Sequence, residues 1–317
     1  MLKQDHQDRQ TKLARRRLFA YITNQDNDSL SVLDIGTNRI IETIRVGQLP
    51  NSAAISPDGK RIYTTNGAGN SITVISAQTN RVIETVKGVG TEPFAADFSI
   101  SRNRYYVPSF YNGSLFVLDL GTNKVLDEIP VGNGLVGVGV SPDQSKVYVT
   151  SVGEGITIIN PNSDQVVATI PDLDSWGIDF SPDGARYYVN NAGSNAVSVY
   201  DASSNKLLKR TAVGLAPLGI VASGDGRRVY VANSRSKSVS VLDAATFRVL
   251  DTIAVGSIPF GIAITPGNRR VYVTNFGSNT VSVIDTAANR VIETIRTGVN
   301  PRGIAITPPR LEEGVNG

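Results

Sequence analysis

A unit of 40–43 residues repeats along the chain, each copy holds four short β-type runs, and the two chain ends carry complementary fragments of one copy. Together these predict an all-β fold: a seven-bladed β-propeller with four antiparallel strands per blade. The repeat is plain in residues 269–295, "RRVYVTNFGSNTVSVIDTAANRVIETI". It returns as "ARYYVNNAGSNAVSVYDASSNKLLKRT" (185–211) and "KRIYTTNGAGNSITVISAQTNRVIETV" (60–86). A Pro-x-Gly type of element opens the units at Pro50, Pro93, Pro217, Pro259 and Pro301, with Leu135 and Ser175 in the equivalent places.

Within a unit the first run is short and apolar, as in "GIAITP" (261–266). It leads to a tight turn, Ser-Pro-Asp-Gly at 56–59 and 181–184, where Pro presets φ and Gly accepts the positive φ that follows. Then come "YVTN", a polar loop, "VSVID", a turn ending in Asn-Arg or Asn-Lys, and "VIETI". These runs are rich in Val, Ile, Thr and Tyr and bounded by Pro, Gly, Asn and Asp, which is the signature of strands. Tyr21, Tyr63, Tyr106, Tyr148, Tyr188, Tyr230 and Tyr272 recur once per unit, so they mark the register and are expected to pack between blades. Residues 19–47 hold only the last three strands of a unit and 301–310 only the first. Joined, they make a composite seventh blade and remove the open ends of the array. The expected organisation is a basic, flexible tail (1–18), one propeller (19–310) and a short C-terminal tail (311–317).

Composition narrows the chemistry. The chain has no cysteine, and its one histidine, His6, lies in the N-terminal tail. Disulfides, zinc–cysteine sites and thiol nucleophiles are excluded, and imidazole-based catalysis or metal binding is disfavoured. The formal charge is +3, but residues 1–18 carry six cations against Asp5 and Asp8, so the propeller body is close to neutral and nucleic acid is disfavoured as a partner. No apolar run approaches a membrane span, and no secretory leader is visible. The expectation is a monomeric, non-membrane chain, cytoplasmic as the sequence stands and periplasmic or secreted if a leader was removed.

"VYVTN" (271–275), "SNTVSVID" and the trailing "NRVIETI" resemble the YVTN-type seven-bladed β-propeller repeat family, which takes in surface-layer and YncE-like propellers. The likeness spans residues 19–310 and implies the fold. Relatives of this type include surface-layer proteins, exported bacterial propellers, and propellers resembling lactonases and quinone-dependent dehydrogenases. A single tryptophan and the lack of cysteine depart from quinone and haem enzymes.

Function is sought where the copies differ. The residue after the Pro position runs Asn51, Phe94, Val136, Trp176, Leu218, Phe260, Arg302 from blade 1 to blade 7. The residue after "YVTN" runs Gly67, Phe110, Val152, Ala192, Ser234, Phe276, with Gln25 in the composite blade, and Tyr111 follows Phe110. Both columns are expected at one channel face. They nominate Phe94, Phe110, Tyr111, Trp176, Phe260, Phe276, Asn51 and Leu218 as ligand-binding residues, or as a plug of the channel mouth. A deeper column, Ala54, Asp97, Gly139, Asp179, Val221, Ala263, Ala305, contains two carboxylates where the others are small or apolar. Unless solvated or hydrogen-bonded, a carboxylate there is costly.

The leading expectation is a binding or scaffold propeller that engages a small molecule or protein segment at the aromatic face, without a cofactor. The alternative is a lactonase-like hydrolase, lyase or isomerase, with Asp97 or Asp179 as general acid/base and Arg302 stabilising negative charge. A third reading is single-stranded nucleic-acid binding on the aromatics. The spaced aspartates of "NQDNDS" (24–29) and "DLDS" (172–175) match no calcium loop and leave a divalent cation without support. The cations of the opposite rim, Arg61, Arg104, Lys146, Arg186, Arg228 and Arg270 among them, are expected to be solvated and charge-balanced.

Overall fold

The computed structural model describes residues 18–308. Residues 1–17, which hold His6 and all the basic tail's charges, and residues 309–317 lie outside the described residues. Twenty-eight strands form seven four-stranded antiparallel sheets. Blade 1 spans residues 50–87, and blades 2 to 6 follow in order to residue 296. Blade 7 is composite: its innermost strand, Pro301–Ile306, pairs with Phe19–Asn24, which continues to Ser29–Asp34 and Arg39–Arg45. Ala305 faces Tyr21 across this seam as Ala54 faces Tyr63 and Ala263 faces Tyr272, so the closing blade keeps the register of the others. Among the described residues, no helix is long and apolar enough to cross a membrane.

The two middle strands of each blade are buried on both faces by the neighbouring blades, which explains their near-continuous "YVT" and "VSV" runs. The repeated Asn that ends the second strand works inside the blade. Asn66 Nδ2 donates to Ser71 Oγ at 3.1 Å and to Thr73 Oγ1 at 3.0 Å. Asn24, Asn233 and Asn275 do the same with the residues five and seven places on. These bonds satisfy side chains in a fully buried layer, where a polar group without a partner would be costly.

Between blades, four of the seven repeated tyrosines (Tyr21, Tyr63, Tyr148 and Tyr272) donate to an Asn of the next blade, whereas the Tyr106 hydroxyl is buried without a partner. Tyr21 reaches Asn80 at 2.9 Å, Tyr63 reaches Asn123 at 3.2 Å and Tyr272 reaches Asn38 at 2.7 Å. Each acceptor holds a left-handed turn position (φ 54, 57 and 53°), a conformation Asn tolerates well. The expectation of a solvated rim needs correction for six cations. Arg61, Lys146, Arg186, Arg228 and Arg270 donate across the blade boundary to the carbonyls of Leu120, Ala202, Ala244, Thr286 and Ile35. Arg104 pairs with Asp164 at 2.8 Å. All six are half-buried. A long side chain at the start of a second strand lies against the next blade's turn, and an otherwise unpaired carbonyl there captures it.

The blades meet most tightly at the channel. A Cβ on Gly137 would lie 2.6 Å from Trp176 O, and one on Gly177 would lie 2.6 Å from Leu218 O. At Gly219 and Gly261 a Cβ would collide with the carbonyls of Phe260 and Arg302. Gly219→Ala should therefore force blades 5 and 6 apart, destabilising the ring by about 1–3 kcal/mol in chemical denaturation. Gly267→Ala, where a Cβ meets nothing within 4 Å, should stay within about 0.5 kcal/mol of the parent. Equal effects at the two sites would refute the close-approach account.

Candidate functional site

The bulges of the innermost strands build the channel mouth. In blade 1 the ladder pairs Pro50 with Asn66 and then Ser52 with Thr65, so Asn51 drops out of register. Val136 and Leu218 drop out in the same way. In blades 4, 6 and 7 the gap takes in Trp176, Phe260 and Arg302. A bulge bends its strand and re-aims the extra residue, which is how this column leaves the sheet and converges on the channel axis. The residue before the Pro position is left-handed in all seven blades, including Leu49, Glu92 and the β-branched Ile258 (φ 52°). Its carbonyl accepts the N–H of the residue after the second strand, as in Phe110 N to Glu92 O at 3.1 Å and Phe276 N to Ile258 O at 2.9 Å. Those bonds hold the strained turns in place.

An unbroken series of ring contacts runs from rim to centre. Tyr111 packs edge-on to Phe110 (4.9 Å between centroids), Phe110 against Phe94 (6.2 Å), Phe94 edge-on to Trp176 (5.8 Å), and Trp176 edge-on to Phe260 (6.4 Å). Tyr111 is 67% exposed, whereas Phe94 is 7% exposed. A cavity of about 190 Å³ lies against the inner part of this cluster, walled by Phe94, Trp176, Leu218, Phe260, Asn51 and the inner-strand glycines; Phe110 and Tyr111 stand outside it. Phe276 makes no ring contact with the cluster and does not line the cavity, so the structure does not bring it into the site.

Arg302 sits inside the cluster. Its guanidinium lies 4.5 Å from the Phe94 centroid and 4.7 Å from that of Phe260, two cation–π contacts on one side chain. Nη1 donates to Asn51 Oδ1 at 2.5 Å, while Nε is buried without a partner. Burial pulls Arg302 down to about 10, which leaves it charged at neutral pH. Asn51 is 3% exposed and fully engaged: its Oδ1 also accepts Gln25 Nε2 at 3.0 Å, and its Nδ2 donates to Pro93 O at 3.0 Å. It joins blades 7, 1 and 2 and positions Arg302 rather than presenting an open amide.

Asp97 and Asp179 are not among the residues that line this cavity. Their column faces the next blade, as shown by Gly139, whose Cβ would lie 2.8 Å from Phe180 Cε2. Asp97 accepts Phe98 N at 2.8 Å and Val140 N at 2.7 Å; Asp179 accepts Phe180 N at 2.8 Å and Ala222 N at 2.7 Å. Each carboxyl thus clips one inner strand to the backbone of the next blade. Burial nevertheless pushes both up to about 6, outweighing the amide bonds that pull the other way, and the charge of Asp97 adds to the rise at Asp179.

Two features escaped the sequence reading. Asp172 replaces a repeated glycine (Gly47, Gly214, Gly256, Gly298) and is buried. It pairs with Arg210 and accepts Asn191 Nδ2 at 3.0 Å. The break in the glycine column was a usable signal, and it shows why "DLDS" is a strut. In "NQDNDS", Asp28 likewise accepts Leu49 N and Asp26 accepts Asn300 Nδ2. The second feature is the Gln25–Asn51–Arg302 network, which joins residues 277 positions apart and left no local pattern.

The raised carboxyls have a thermodynamic consequence. Folded-state values near 6 against an ordinary 3.8 mean that the folded chain retains protons that the unfolded chain has released. Their contribution therefore falls as pH rises across that window, and it is fully lost above it. The melting temperature should decline between about pH 5 and about pH 7, and the Asp97→Asn, Asp179→Asn double variant should flatten that slope. A wild-type melting temperature that climbs over the same interval would show that the amide bonds outweigh burial.

Comparison with solved structures places the fold in wide company. A chain of Kuenenia stuttgartiensis hydrazine synthase superposes with a TM-score of 0.77 at 21% identity, covering 84% of this chain and 92% of that one. A functionally unknown protein from Desulfotomaculum acetoxidans gives 0.82 at 17% identity, with 92% and 99% covered. Apo AztD from Citrobacter koseri gives 0.71 at 12%, with 92% and 98% covered. At such identities the likeness is one of fold alone. No curated protein matches the sequence. Residues 175–308 match the family model described as YNCE-like beta-propeller, and the chain as a whole folds as a seven-bladed β-propeller.

Proposed function

We propose that this propeller is a binding module, taking a small ligand or a protein segment at the aromatic mouth of its channel. The observation that carries this reading is the continuous ring series from the exposed Tyr111 to Phe260, whose inner members Phe94, Trp176 and Phe260 line the cavity. The bulge position does not itself demand aromatics, since Asn51, Val136 and Leu218 fill it in other blades. A mostly apolar hollow with a few converging polar groups is the usual form of a ligand site.

The enzyme alternative draws support from one observation, the carboxyls raised to about 6, a value suited to acid/base work near neutral pH. Geometry counts against it, because the oxygens of Asp97 and Asp179 accept backbone N–H groups and neither residue lines the cavity. Nucleic-acid stacking needs open ring faces, and in this cluster Tyr111 alone is strongly exposed.

Trp176 is the sole tryptophan, so its emission reports the mouth directly. Titration with a panel of metabolites and short peptides should reveal a saturable change in that emission. Phe260→Ala should weaken the binding roughly three- to tenfold, the scale of one lost aromatic contact. Ligands that raise the melting temperature yet leave Trp176 emission unchanged would move the site elsewhere.

A further inference from the structure

We propose that the ligand of this mouth carries an oxyanion, a carboxylate or phosphate, which docks on the free Nε edge of Arg302. The proposal rests on the binding reading above and names the chemistry that the site recognises.

Arg302 is a half-buried cation, with a fully buried Nε, whose surroundings only half satisfy it. Among the described residues it makes no ion pair, and the one acid that adds appreciable attraction, Glu92, stays beyond ion-pair reach. Both neighbouring rings offer their quadrupoles, but neither can accept an in-plane N–H bond. Asn51 takes Nη1, and Nε is left buried with no acceptor. A guanidinium presents five N–H groups in a rigid fork, and its Nε–Nη side matches the two oxygens of a carboxylate or phosphate. Arg302 does not itself line the cavity, but Asn51, Phe94 and Phe260, which hold its guanidinium, do, so an oxyanion reaches Nε by entering between those side chains. An oxyanion there would supply the missing acceptor and countercharge at once, and the aromatic walls would receive an apolar or planar body behind it.

Asp97 and Asp179 do not compete for this role, since they are engaged by Val140 N and Ala222 N at the blade boundaries. The six half-buried cations of the opposite rim are likewise occupied, by the next blade's carbonyls or by Asp164. Arg302 therefore stands apart from the other inter-blade cations as one that the fold itself leaves short of an acceptor.

Three probes of similar shape test the idea on the full chain: benzoate, phenyl phosphate and the neutral benzamide, read by Trp176 emission and by thermal shift. At least one anion should bind, should outbind benzamide, and should lose roughly ten- to hundredfold in affinity in Arg302→Met. The preferred anion distinguishes carboxylate from phosphate. Arg302→Lys keeps the charge but not the fork and should recover only part of the loss. Should Arg302→Met fail to fold, the wild-type preference for anion over amide and its weakening by salt carry the test. Silence of both anions, or an anion response that survives in folded Arg302→Met, overturns the proposal. Equal binding of benzoate and benzamide, abolished in Phe260→Ala, would keep the binding reading while removing the oxyanion.

Discussion

The inner strands approach one another so closely that a methyl group would strike the neighbouring carbonyl, and the rest of the ring follows from that contact. It explains the glycine after the bulge in blades 3 to 7. It also fixes the narrow radius at which the bulge side chains must meet. Seven side chains aimed at one axis over so small a circle cannot all be large. Here Phe94, Trp176 and Phe260 fill the mouth with Arg302 held against two of them, while Val136 and Leu218 leave room beside them. The site is thus a by-product of backbone packing, and its character was free to be set by the four residues that occupy it.

Further from the axis, other ties take over. The donor on one blade and the acceptor on the next recur at fixed offsets: tyrosine to asparagine, arginine or lysine to carbonyl, threonine to the bulge carbonyl as in Thr65 Oγ1 to Phe94 O at 2.8 Å. None of these is large alone, since a net hydrogen bond contributes on the order of 1 kcal/mol. Repeated around a closed ring with no exposed end, they make neighbouring blades mutually dependent.

The fold was almost wholly legible in the sequence because each signal is local and repeated. Tyr63 and Tyr272 sit at one offset in their units, and the Pro-x-Gly element recurs at one spacing. Even the composite blade could be read, since residues 19–47 and 301–310 are complementary fragments. The site was legible only in part. Column comparison found Phe94, Trp176, Phe260 and Arg302 as departures from the repeat, but it could not show which way each side chain turns. Asp97 and Asp179 looked like channel carboxylates in that column. Strand alternation turns them onto the next blade, where free backbone N–H groups take them up. Asn51 looked like an open polar group, and its partners Gln25 and Arg302 lie at opposite ends of the sequence. Column position survives reading in one dimension; side-chain direction and long-range partners do not.

Arg302 lies on the strand that closes the ring, two residues after the Pro-preceding turn at Asn300. Phe94, Trp176 and Asn51 are all made earlier and fold with blades that come before it in the chain. During synthesis, then, the mouth lacks its cation until the last strand has paired with Phe19–Asn24. The charge centre is a mark of completed circularity. Whatever engages Arg302 also grips the seam where the two chain ends meet, and by mass action it favours the closed ring over any form in which that seam has parted.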